Sequence, residues 1–208
     1  MLSTELILTF LATSALLAIT PGPDNLFVMT QAALHGRKSG FVVTLGLCTG
    51  LIVHSVAVAL GVSAIFQSSV AAFNLLKYLG VAYLVYLAWK AFRASSDAVG
   101  EEQKVQASYA NLYRRGIIMN VTNPKVSIFF LAFLPQFTDP SAGNVTSQIL
   151  ALGGLFIVAT LVIFGSIATL SGLLNDLFKK SSRAQTIMNK IAGLVFLGIA
   201  AKLMAAKQ

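Results

Sequence analysis

Thr20-Pro21-Gly22-Pro23-Asp24-Asn25 interrupts a run that is otherwise uncharged from Leu6 to Gly36. Proline lacks a backbone N–H and its ring collides with the preceding turn, so two prolines around a glycine end one helix and begin another. A second stretch, Thr122-Asn123-Pro124-Lys125, breaks the apolar run Gly116 to Pro135 in the same manner. A packing kink accounts for a proline in a helix. It does not account for a charge beside each break, Asp24 in one and Lys125 in the other, near the middle of an apolar run.

Composition says what surrounds these breaks. Of 208 residues, 56% are hydrophobic and 11% charged, less than half the charged share of ordinary soluble domains. The 15 basic and 7 acidic side chains cannot clothe a water-soluble fold of this size. So apolar a chain is not intrinsically disordered. One cysteine, Cys48, excludes an internal disulfide and sites built on paired thiols. The expectation is an all-α integral membrane protein with six apolar segments of about 20 residues each. They are Leu6 to Gly36, Gly40 to Phe66, Val70 to Trp89, Gly116 to Pro135, Val145 to Asn175 and Ile191 to Ala206. Met1 to Glu5 carries no basic stretch, so a secretory signal is not expected.

The net charge of +8 and pI near 9.8 raise nucleic acid as a partner, and the placement of the cations argues against it. Arg37 and Lys38 fill one gap; Lys90, Arg93, Lys104, Arg114 and Arg115 fill or border another; Lys179, Lys180 and Arg183 fill a third. The intervening gaps hold Lys77, and none around Asp139, with Lys202 and Lys207 near the end. Alternation of this kind is the positive-inside pattern of a membrane protein. The gaps after segments one, three and five then face the cytoplasm. Six straight crossings put both termini outside; a re-entrant first segment gives five and an N-terminus inside. Both readings stand on the sequence.

The halves resemble each other. Thr20 matches Thr122 at an offset of 102 residues, and Lys77-Tyr78-Leu79-Gly80 matches Lys190-Ile191-Ala192-Gly193 at 113. Residues 1–94 form a first three-helix repeat, 95–110 a cytoplasmic linker, and 111–208 a second repeat. An odd number of spans per half inverts the second repeat. Interrupted helices at matching places of inverted repeats mark a transporter's binding site.

An ionisable group inside an apolar segment is costly and reads as functional. Asp24 and Lys125 are natural counter-charges, either as a structural ion pair or as a pair that separates to hold a zwitterion, the carboxylate taking an ammonium and the ammonium a carboxylate. Unpaired amides of the helix beginning after either break also favour a carboxylate. His54, in the uncharged second segment, reads as a hydrogen-bonded structural residue or as a proton relay. Gly46 and Gly50 form a G-x-x-x-G pair for close helix packing, with a homodimer seam as the other use.

These residues resemble the LysE/RhtB family of amino-acid exporters. The resemblance runs through Thr20 to Asn25, His35-Gly36-Arg37, Gly46 with Leu51 to His54, Tyr83-Leu84, Asn123-Pro124-Lys125 and Phe129 to Phe137, across nearly the whole chain. It implies efflux of amino acids or close derivatives from the cytoplasm through the inner membrane by proton antiport, with the homoserine, threonine and leucine branch nearer than the lysine and arginine branch. No cofactor and no metal site is expected. The candidate substrate-binding or proton-coupling residues are Pro21, Gly22, Pro23, Asp24, Asn25, His54, Asn123, Pro124 and Lys125. An intramembrane protease lacks its G-x-S-G signature. A metal exporter lacks a ligand cluster. A passive channel or an exporter of another small solute is the alternative.

Overall fold

The computed structural model describes residues 3–68, 70–94, 108–171 and 182–205. Most of the linker at 95–110, with Lys104, and the cations Lys179, Lys180 and Lys207 lie outside the described residues, as does the side chain of Arg183. Among the described residues every regular element is helical. The elements are α1 (Thr4–Ile19), α2 (Pro23–His35), α3 (Arg37–Ser68), α4 (Val70–Arg93), α5 (Tyr109–Val121), α6 (Pro124–Ile128), α7 (Val145–Thr169) and α8 (Ser182–Ala205).

The two breaks are built alike. Thr20 ends α1 by donating its amide and its hydroxyl to the Leu16 carbonyl, at 3.0 and 2.7 Å. Thr122 ends α5 by donating both to the Ile118 carbonyl, at 2.9 and 2.8 Å. Proline then opens the next helix, Pro23 in α2 and Pro124 in α6, where its missing N–H costs nothing. The chain bends by 63° at the first break and 49° at the second.

A further irregularity follows the second break. The helix widens to a π turn over Phe129–Phe133, where the Leu134 amide reaches the Phe129 carbonyl. It then tightens to a 3-10 turn over Leu134–Phe137. Pro135 supplies the reason, since it has no amide for the Leu131 carbonyl and the ladder changes register around it. The widened turn points its phenylalanines inward. Phe129 stacks on Phe133 at 5.0 Å and on Phe156 at 5.2 Å, and Phe137 meets Phe10 edge-on at 5.1 Å.

α3 lies between α5 and α7, and α4 lies along α8. Glycine permits the closest of these approaches. A methyl at Gly46 would run into the Tyr113 carbonyl, and one at Gly116 would sit 2.6 Å from the Val43 carbonyl. Gly50, one turn on from Gly46, lies against Asn120. The G-x-x-x-G pair is thus used within the chain, joining α3 to α5. Against α7 the direction reverses: Gly40 meets Ala168, and Ser55 meets Gly153. α4 and α8 are antiparallel too, Gly80 lying on Leu203 and Gly193 on Phe92.

Residues 37–61, 145–169 and 186–205 are long and apolar enough to cross a membrane, and each bent pair adds a span if counted as one, for three to five among the described residues. Their outer faces carry Leu60, Val162 and Leu194, each more than 60% exposed. Hydrocarbon is the solvent in which such faces are stable.

Candidate functional site

Both breaks reach one small, partly open cavity. Its apolar wall includes Leu17, Leu51, Phe156 and Phe164; its polar wall is Asp24, Asn120, Lys125 and Thr160. All four polar residues are buried.

Hydrogen bonds tie the first half of the chain to the second across this cavity. Asn123 caps α6, its Oδ1 accepting from the Lys125 amide at 3.0 Å, while its Nδ2 donates to Asp24 Oδ2 at 2.9 Å. Lys125 Nζ donates to the carbonyls of Leu17 at 3.4 Å and Thr20 at 3.2 Å, at the end of α1. These carbonyls have no amide four residues ahead inside the helix, and the end of a helix attracts a cation. No ion pair within 4.0 Å joins Asp24 and Lys125, although each acts on the other's charge. The carboxylate and ammonium face a shared cavity and bond to opposite breaks. Buried charges are tolerated when hydrogen bonds satisfy them. Asp24 Oδ1 has no such partner.

The other expected residues fall around this pair. Pro21 lies in the non-helical link; Gly22 caps α2, close enough to Lys125 that a methyl there would stand 3.1 Å from Nζ. Pro23 and Pro124 occupy first turns and are exposed. Asn25 folds back, its Nδ2 donating to the Ala18 carbonyl at 2.6 Å. His54 does not line the cavity. Its Nε2 is 3.3 Å from the Asn120 carbonyl, which assigns the ring proton to Nε2, and its ring lies 5.6 Å from that of Phe130.

Asn120 and Thr160 are the cavity residues that sequence reasoning missed. The signal for Asn120 was an amide side chain in an apolar helix, two residues ahead of Thr122. Thr160 gave none, since α7 also carries Ser166 and Thr169.

Apolar helices of membrane length, with two bent helix pairs meeting at a buried polar cavity, mark a multi-pass membrane protein. A family model described as LysE type translocator matches residues 15–207, and the chain belongs to that family. It is a translocator and not an enzyme. A homoserine/homoserine lactone efflux protein of Salmonella typhimurium is 33% identical over 198 residues, spanning 95% of each chain. The uncharacterized membrane protein YrhP of Bacillus subtilis is 31% identical over 205 residues, covering 94% of this chain and 97% of its own. No solved structure matches.

Proposed function

We propose that this chain exports amino acids or close derivatives, homoserine-like solutes among them, across the cytoplasmic membrane in exchange for protons. The observation that carries this reading is the cavity at the two breaks, with an acid from one half and a base from the other. The Salmonella relative's name pairs homoserine with its lactone; the two share an ammonium, and only one has a carboxylate. Asp24 receives the ammonium. Lys125, with two N–H groups on the α1 carbonyls, has a third for a carboxylate when there is one. Pro21, Gly22, Pro23, Asn25, Asn123 and Pro124 hold these groups in place, and His54 stands behind Asn120.

Antiport follows from competition for one carboxylate. A proton and a substrate ammonium neutralise Asp24 equally well but not together, so each displaces the other. The halves then rock in alternating access about a pseudo-two-fold axis in the membrane plane. Such an axis makes matched helices antiparallel, as α3 is to α7 and α4 to α8. In this reading α4 and the two bent pairs complete six crossings.

Proteoliposomes loaded with labelled homoserine and given a pH gradient test the reading. Wild-type protein should show saturable, gradient-driven flux with counterflow. Asp24→Asn should lower that flux by about tenfold or more, the scale of one lost charge-assisted hydrogen bond. Full gradient-driven flux in Asp24→Asn removes Asp24 from the coupling.

A further inference from the structure

Three buried oxygens belonging to cavity residues have no hydrogen-bond partner: Asp24 Oδ1, Asn120 Oδ1 and Thr160 Oγ1. Buried polar atoms are nearly always paired, and those that are not call for an explanation. Thr160 makes the case sharpest. A hydroxyl inside a helix ordinarily donates to the carbonyl four residues back. Ser166 and Thr169 in the same helix do so at 2.7 Å, and Thr44 and Ser55 in α3 at 2.9 and 2.8 Å. Thr160 does not, although only 3% of it is exposed. Asn120 is held by the helix opposite: Gly50 lacks the methyl that would stand 2.6 Å from Asn120 Oδ1.

The geometry points to an ammonium subsite in which Asp24, Asn120 and Thr160 accept the three N–H groups of a primary amine. The inference rests on the transport reading above and adds Asn120 and Thr160 to it as substrate-binding residues. The chemistry matches in number and in sign. A primary ammonium has three donors and no acceptor, and the three oxygens supply one formal negative charge. The remaining wall is apolar, except for Lys125, whose ammonium bonds to the α1 carbonyls. The amine is therefore the handle by which the cargo is held, and the carboxylate is secondary.

Purified full-length protein in lipid nanodiscs gives the test, by calorimetry with four probes. Homoserine has both groups and homoserine lactone keeps only the ammonium. N-acetylhomoserine and 2,4-dihydroxybutyrate lack the ammonium. Wild-type protein should bind the first two within a few-fold of each other, and the last two at least tenfold more weakly. Thr160→Val, which keeps the shape, and Asn120→Leu should each weaken both amines about tenfold. Thr160→Ser should bind as wild type, which separates the lost hydroxyl from damage to the fold. Equal binding of N-acetylhomoserine, unchanged amine affinity in both Thr160→Val and Asn120→Leu, or loss confined to carboxylate-bearing probes would overturn the subsite. A sodium-dependent heat signal without any amine would overturn it in favour of a metal cation. If wild-type protein binds none of the amines and shows no flux, the transport reading fails and the subsite falls with it. Wild-type flux with indifferent variants sinks the subsite alone.

Discussion

Lys125 donates two of its three N–H groups to carbonyls at the end of α1, and this doubles its effect. The residue supplies a positive charge to the cavity and closes the open end of a helix from the other half. Lys125→Met removes both, leaving two buried carbonyls short of a donor and Asp24 short of a nearby cation. Stability should fall by about 1 to 3 kcal/mol, measured by chemical unfolding in detergent, and flux should be lost. The double variant Asp24→Asn with Lys125→Met should recover part of the stability and none of the flux. Recovery of flux would mean that the pair is structural alone. The sequence made Asp24 and Lys125 visible because a charge in an apolar run has few structural uses. Which atoms they bond was not visible. A direct ion pair is one of the two readings the sequence leaves open, and Asn123 and the α1 carbonyls take those bonds instead. Thr160 was illegible for a related reason. A threonine that back-bonds and one that faces a cavity are spelled alike, and only the helix opposite tells them apart.

At the scale of the helix, proline chemistry made both breaks readable; that Pro23 and Pro124 open the following helices is seen in the structure. The π turn at Phe129–Phe133 was not foreseen. Pro135 signals an interruption but does not say whether the ladder upstream tightens or widens; the packing of Phe129 and Phe133 goes with the wider turn. The seam between α3 and α5 depends on bare backbone at Gly46 and Gly116. Gly46→Leu has no room against the Tyr113 carbonyl and should force the helices apart. Overpacking of this kind costs about 1 to 3 kcal/mol, and here the obstacle is main chain that cannot rotate away. Thermal unfolding in detergent should show the loss, with Gly154→Leu as a control, since a methyl at Gly154 meets nothing within 4 Å. Equal melting of the two variants would show that the seam is looser than described.

For the whole molecule, the charge pattern and the packing bear on the same question. Phe10 near the start of α1 touches Phe137, at the far end of the second broken helix. Arg37 and Lys38 begin α3, at the end where Gly40 meets Ala168. The first segment bends by 63° at its break. The expectation is a crossing, with the N-terminus opposite the basic face. In a Cys48→Ser background, Ser3→Cys should react with a membrane-impermeant maleimide on whole cells. Lys38→Cys should react only after permeabilisation. Labelling of both from the same side would return the first segment to a re-entrant hairpin.

The bonds from Asn123 to Asp24 and from Lys125 to α1 run between the halves that rock in the mechanism proposed above. In that mechanism they would act as a latch. With nothing bound, separating the halves would leave a buried carboxylate and ammonium short of partners. A proton or an amine at Asp24 would release the first of these bonds, and a carboxylate, where the cargo has one, would compensate the second.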